Sequence, residues 1–374
     1  MQLKDICIFC TDKINTQRLA KENYISTDSL LPNFGGKTEV SSFPENQNVN
    51  KYEKGDILIS NIRPYFKKMI ISNKDGGCSS DVLVLRVINN LVYPQYLYYR
   101  LMSNDFFNYV VATSKGTKMP RGDKEAIMKY NLDIPNIDIQ KKVVEFLDNI
   151  KNKIQINNLI NDNLLNLGRL YFNEYINGCS EEVFIRDIAD EVLDYTKNIN
   201  DKVKLLNSSD ITENIFPDVE FVDNKNLKGH FKKRFKKYDI LYSQIRPRNH
   251  HYGYVLLEDS DDYLASTRLM VVRNKADKVS SSLLYYYLTS KKAVDDFTSK
   301  TESRSGTFPQ GNYEDLSSFV VKYSSNQEVV TQVLNSILEM VSHNNNENNK
   351  LIGLRDLLLP KLMNGEIDLD KIEI

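Results

Sequence analysis

The chain has 374 residues, of which 41% are hydrophobic and 26% charged, with a formal net charge of −1 and four cysteines. No apolar run approaches the ~20 residues that a membrane-spanning helix needs. The first ten residues lack the basic-then-apolar pattern of a secretory leader, and Cys7, Cys10, Cys78 and Cys179 make no disulfide framework. A cytoplasmic protein of two or more domains is expected. The Cys7-x-x-Cys10 pair has no second pair and no nearby histidine, so it reads as buried or free thiols rather than a metal site.

In chain order, "DILIS" (56–60) is a β-type run that closes on Ile-Arg-Pro at 62–64. "VLVLRV" (82–87) is a second β-type run, and a helical stretch follows the "LYY" at 97–99. Turn residues bound each run, as strands require. "FGGK" (34–37) has too few glycines to cradle a phosphate and reads as a turn. A Gly-Thr loop, "GTKMPRG" (116–122), precedes a stretch without proline from Gln140 to Gly178. There apolar residues recur by sevens: Val143, Ile150, Leu164 and Tyr171, and beside them Phe146, Ile160 and Leu167. That spacing predicts a long helix, roughly 58 Å if unbroken at ~1.5 Å per residue.

The series then repeats. "DILYS" (239–243) and its Ile-Arg-Pro lie 183 positions after the first copy, and "RLMVVR", "LYYYLTS" and the second helical stretch lie 187 positions after theirs. The loop "GTFPQG" (306–311) answers the first Gly-Thr loop. The second stripe is Val330, Ile337, Leu351 and Leu358, with Val333, Met340 and Leu354. Since 187 is half of 374, the chain is two copies of one unit. The expected fold class is α+β: globular domains at 1–136 and 179–323, and long helices at 137–178 and 324–374. The two helices bury their stripes against each other as an antiparallel coiled coil. Asn157 and Asn344 fall at matched seam positions, where a buried polar pair fixes register, or else mark a kinked helix middle.

Between Lys225 and Arg248 stand nine Lys or Arg against one acid, Asp239. Such a stretch attracts phosphates even on a neutral protein. His250-His251 beside it reads as a surface feature. No Asn/Asp-Pro-Pro-aromatic run, Gly-rich methyl-donor loop or Walker lysine occurs. "PDVEFVDNK" (217–225) superficially carries a nuclease pattern, with Asp218, Asp223 and Lys225 as the acids and lysine that would converge on a metal.

The run "GTKMPRGDKEAIMKYNLDIPNIDIQKKVVEFLDNI" and the closing "LIGLRDLLLPKLMNGEIDL" resemble the domain-to-helix junctions of the specificity subunits of type I restriction-modification systems. So does the order domain, helix, domain, helix across the whole chain. Departures are Ile139 and Asn326 where the family often has Glu, and Lys322 where it often has the proline seen here as Pro135. The resemblance implies a non-catalytic reader of double-stranded DNA, each domain contacting half of a bipartite target and the helices setting the gap. Two methyltransferase subunits would dock, with restriction subunits in some systems. S-adenosylmethionine would be bound by the modification partner, and no cofactor by this chain.

DNA reading uses Lys and Arg for phosphates and Arg, Asn or Gln for base edges. The candidates are Arg63, Lys67, Lys68, Lys115, Lys118 and Arg121 in the first domain. In the second they are Lys232, Lys233, Arg234, Arg246, Arg248, Arg304 and Gln310. Arg63 and Arg246 have an alternative role, holding the turn through backbone carbonyls. Tyr65, Phe66, Tyr242 and Tyr252 read as core residues before DNA contacts. The alternatives to a reader are a stand-alone metal-dependent nuclease and a coiled-coil adaptor that does not bind DNA.

Overall fold

A computed structural model describes residues 1–195, 200–227, 229–275, 278–304, 310–363 and 365–367. It divides into two compact units: Met1–Lys151 with the chain from Gly353 on, and Asn152–Ile352. Each unit contains one α+β domain and a stretch of both long helices.

The central sheet of the first unit has the strand order Cys7–Phe9, Val82–Val87, Ile57–Ser60, Met69–Ile71, antiparallel throughout. The second unit repeats that order with Ala189–Glu191, Leu269–Asn274, Ile240–Ser243 and Tyr252–Tyr254. The expected β-type runs are therefore the middle strands of two equivalent sheets. Val82–Leu85 and Leu269–Val272 are buried on both faces, which is why they read as continuous apolar runs instead of alternating ones.

Behind the first sheet pack helices α1 (Pro94–Leu101), α2 (Asn104–Ala112) and α3 (Lys124–Met128). Helix α4 (Ile137–Asn177) follows, then the short α5 (Ile185–Ile188). In the second domain come α6 (Ser281–Leu288), α7 (Lys291–Glu302) and α8 (Tyr313–Ser317), and α9 (Glu328–Met363) closes the described helices. Ser103 and Ser290 cap α2 and α7 at equivalent positions, each accepting a backbone N–H from the first turn.

A glutamine, buried in the first copy and half-buried in the second, ties each long helix to its domain. The Gln140 side chain donates to the Leu91 and Pro135 carbonyls and accepts from the Tyr93 N–H, all at 2.8 Å. Its counterpart Gln327 donates to the Lys278 carbonyl at 2.7 Å and accepts from the Ser280 N–H at 3.1 Å.

The long helices pack antiparallel. In the first unit Val143, Val144 and Leu147, near the start of α4, share a core with Leu359, Leu362 and Met363, at the end of α9. In the second unit Leu165 and Phe172 share one with Leu334, Leu338 and Val341. The strict seven-residue stripe needs correction. Val143 and Ile150 are buried, but farther along α4 the buried residues are Asn157, Asn161, Leu165, Gly168 and Phe172, while Ile160, Leu167 and Tyr171 are exposed. Likewise Met340 and Leu354 on α9 are exposed. A 3.6-residue helix drifts by ~20° per heptad from an exact seven-residue repeat, so over five turns the stripe rotates out of the contact.

The asparagine register also differs from a direct Asn157–Asn344 pair. Asn157 donates to Asn348 at 2.9 Å, and Asn344 donates to Asn161 at 2.8 Å. These two contacts are the same contact seen from either copy, because 157 + 187 = 344 and 161 + 187 = 348. In an antiparallel pair equivalent positions face each other only at its centre, and here that centre falls between 157 and 161, so each asparagine faces the equivalent of the residue one turn along. Asn161 to Asn345 at 2.9 Å adds a further bond, and both helices are continuous through the asparagine-rich middle.

Candidate nucleic-acid interface

After the strand Ile57–Ser60 the backbone enters the left-handed region at Arg63 (φ 50°), makes a 3-10 turn over Pro64–Phe66, and leaves through a second left-handed residue, Lys67 (φ 50°). The second copy does the same with Arg246 (φ 48°), Pro247–Asn249 and His250 (φ 56°). A non-glycine residue in this region costs about 1 kcal/mol or more, and the same four-fold exception is held by the same hydrogen bonds in both copies. Ser60 and Ser243 donate their hydroxyls to the carbonyls of Ile62 and Ile245. The Phe66 and Lys67 N–H groups donate to Arg63 and Pro64, and those of Asn249 and His250 to Arg246 and Pro247.

This turn and the Gly-Thr loop meet in both domains. Ile62 bridges Arg121, and the Arg63 N–H donates to the Pro120 carbonyl at 2.8 Å. Ile245 bridges Gln310, and the Gly311 N–H donates to Gln244 at 2.9 Å. The glycine ending each loop is there for space: a Cβ on Gly311 would lie 2.2 Å from the Phe297 ring, and one on Gly122 3.0 Å from the Asn61 side chain. Residues 306–309 of the second loop lie outside the described residues, as do Lys228 of the basic stretch, Asn364 and the last seven positions of the closing helix segment.

The arginines before proline do not hold the turn through their side chains. Both guanidinium groups are exposed and make no hydrogen bond or ion pair with described residues; the backbone bonds above do that work. Lys118 is similarly exposed. Lys67 donates to Asn104 at 2.6 Å and Lys68 to the Thr27 carbonyl at 2.8 Å. Lys115 pairs with Asp123 at 2.5 Å, which holds that carboxyl below its ordinary range, and Arg121 pairs with Asp81 at 2.9 Å.

In the second domain Lys232 lies over the Tyr195 ring, Arg234 pairs with Asp261 at 3.2 Å, and Arg248 reaches Glu302 only at 4.0 Å. Arg304 donates to the Gln310 carbonyl at 2.6 Å and pairs with Asp315, so it fixes the loop end while the Gln310 side chain stays exposed. Lys233 does not belong on this surface. It is 3% exposed and its ammonium is bound by Glu191 and the Leu269 carbonyl, because its position on a sheet strand points it inward.

The four aromatic residues split. Tyr242 and Tyr252 are core, stacked at 5.6 Å, whereas Tyr65 and Phe66 are 49% and 38% exposed on the turn itself. His250 contacts Glu213 at 2.8 Å and His251 the Ile211 carbonyl at 2.8 Å, tying the second turn to the segment 211–214. Phe34 and Gly36 indeed lie in a turn, and the Asn33 and Phe34 N–H groups donate to Phe66 and Lys67. Asp218 of the nuclease-like pattern is paired with Lys204 at 3.4 Å, and Asp223 ends an exposed edge strand. Among the described residues no group of three or more His, Cys, Asp or Glu is placed to hold a metal. No helix among them is long and apolar enough to cross a membrane.

Sequence reasoning passed over the buried Asp56 and Asp239, which accept two hydrogen bonds each from Arg86 and Arg273. Their repetition in both copies was the available signal.

Two equivalent turn-and-loop surfaces with different side chains, each carried on its own copy of one α+β domain, define a duplicated two-domain architecture with a pair of long antiparallel helices. The sequence matches the family described as type I restriction modification DNA specificity domain over residues 1–166 and 181–352, and the chain belongs to that family. It is 40% identical over 121 residues to the Type I restriction enzyme HindI specificity subunit of Haemophilus influenzae, covering 32% of this chain and 26% of that one. Against the EcoDI specificity subunit of Escherichia coli it is 25% identical over 101 residues, covering 27% and 22%. The matches thus span about a quarter of the length of these curated relatives. The fold is similar to that of a type I restriction-modification S subunit from M. genitalium, with a TM-score of 0.58 at 12% identity over 97% of this chain and 95% of the other.

Proposed function

We propose that this chain is the sequence-reading subunit of a type I restriction-modification complex, without catalytic activity of its own. Each domain contacts one half of a bipartite duplex target, and the antiparallel helices set the gap between halves. The observation that carries this reading is the turn bridged to the end of the Gly-Thr loop, alike in both copies over the described residues but furnished with different side chains. One backbone design with two sets of donors suits two half-sites of different sequence.

The first half-site is contacted through Arg63, Lys67, Lys68, Lys115, Lys118 and Arg121. The second is contacted through Lys232, Arg234, Arg246, Arg248, Arg304 and Gln310. Exposed apolar residues on α4, among them Ile156, Leu159 and Leu170, support docking of two methyltransferase subunits along the helices. Those subunits bind S-adenosylmethionine, which supplies the transferred methyl group, and a restriction subunit joins where the system also cuts.

Single-molecule methylome sequencing of a host expressing the chain with its modification partner tests the proposal. A split motif with a fixed gap is expected; a compact motif, or none, overturns it. Substituting Arg121 should then alter one half-site and substituting Gln310 the other. Inserting one turn's worth of residues in a helix should change the gap alone.

A further inference from the structure

We infer that the two domains read base edges by opposite chemistry, the first through apolar contact with thymine methyl groups and the second through hydrogen bonds to purine edges. The inference rests on the proposed DNA-reading role and deepens it. The two turns share one backbone, including both left-handed flanks, so their apices compare position by position. Since 65 + 183 = 248 and 66 + 183 = 249, Tyr65 and Phe66 occupy the places of Arg248 and Asn249.

In the first domain the apex is apolar and open. The Tyr65 and Phe66 rings lie 4.7 Å apart and neither belongs to a core cluster. Met119, 49% exposed, stands in the loop whose Pro120 carbonyl accepts the Arg63 N–H. Around this apolar apex Arg63 and Lys118 are exposed cations without ion pairs among the described residues. An apolar tip flanked by unpaired cations is complementary to a polyanion that also offers apolar groups. On the base edges of the duplex major groove the thymine methyl is that group.

The second apex inverts the pattern. Among the described residues Arg248 is exposed with only a distant acid, Asn249 is exposed with no side-chain hydrogen bond, and Arg246 flanks them. Arginine makes two bonds to guanine O6 and N7, and asparagine two to adenine N6 and N7. Neither side chain has comparable use against a methyl group.

The test uses the full chain co-purified with its modification subunit, after methylome sequencing has given the motif. Methylomes of the Tyr65→Ser/Phe66→Ser and Arg248→Ala variants assign each half-site to a domain by the half in which selectivity is relaxed. Competition binding with the unaltered protein then uses two duplex series. Uracil replaces thymine in one half-site at a time, removing the methyl group, or 7-deazapurines replace purines, removing the N7 acceptor.

Uracil in the first domain's half-site should weaken binding about tenfold and in the other less than about twofold. The 7-deazapurines should show the reverse, on the scale expected for loss of a base-edge contact. Equal sensitivity of both halves to either analogue, or a first half-site without thymine, overturns the inference. So does a Tyr65→Ser/Phe66→Ser variant with unchanged motif and affinity, which would assign the aromatic pair to a protein or membrane contact. Absence of any split motif defeats the DNA-reading role itself, whereas a split motif with equal analogue sensitivity defeats this inference alone.

Discussion

The Asp56 carboxylate accepts from the Arg86 guanidinium at two points, 2.8 Å from Nε and 2.7 Å from Nη2, and Asp239 repeats this with Arg273 at 2.6 and 2.7 Å. Each aspartate is buried and also accepts a backbone N–H from the turn before its strand, Glu53 in one copy and Lys236 in the other. The pair therefore locks the hairpin entry to the neighbouring strand. Removing only the arginine leaves a buried carboxylate unpaired, which costs about 3–5 kcal/mol. Arg86→Ala and Arg273→Ala should each lower the urea midpoint of unfolding accordingly. The double variant Asp56→Ala/Arg86→Ala should lose less than the two single losses added. Additive losses would show that the two groups act independently.

Two helical glycines should respond oppositely to the same substitution. A Cβ on Gly168 of α4 would lie 2.0 Å from the Tyr286 hydroxyl and 2.6 Å from its ring, and Tyr286 is itself buried. Gly168→Ala should destabilise by about 1–3 kcal/mol through overpacking. Gly353 of α9 has nothing within 4 Å of that position, so Gly353→Ala should stabilise by up to ~1 kcal/mol through helix propensity. Thermal unfolding of both variants checks the contrast.

The asparagine ladder within the helix pair predicts strong coupling. Asn345 is buried and accepts from Asn161 while donating to the Asn214 carbonyl at 3.1 Å. Asn345→Leu alone should cost about 1–3 kcal/mol by stranding its partners. Combining it with Asn161→Leu should recover part of that loss, as apolar pairs in helix seams do. A double variant no more stable than Asn345→Leu alone would refute the prediction.

Thiol chemistry offers a test with a definite pH sign. Burial pushes the Cys7 and Cys78 thiols up to about 12. In the unfolded chain they return to about 8.5, so the folded form retains protons that unfolding releases in alkali. Stability from these groups is fully present below that ordinary value and is lost as pH rises from about 9 through 12. At pH 8 both should resist alkylation in the folded protein and react promptly in urea. Mass spectrometry of labelled peptides reads this directly.

The duplication, the strands of both central sheets and the two long helices were legible because each leaves a periodic trace in the sequence. Helix α4 begins at 137, and the seven-residue stripe located its buried face for the first two turns. Side-chain register along the whole helix was not legible, because the drift of a real helix decides which of Ile160 or Asn161 points inward. The pairing of Asn157 with Asn348 likewise needs the antiparallel offset, which equivalence by 187 residues does not supply. At the turns, sequence marked Ile-Arg-Pro but not its left-handed arginine. It also placed Lys233 on the surface, since strand facing was unknown.

The left-handed flanks of the two turns have a consequence for how this chain can change. The path of each apex is set by backbone bonds, a proline, a serine and a glycine-ended loop, and none of the hydrogen bonds that hold it uses the side chains at 65, 66, 248 or 249. Substitutions at those four positions should therefore leave folding almost untouched while altering what is bound. Selection on the target and selection on the scaffold then act on separate residues, so new preferences become accessible without a loss of fold along the way.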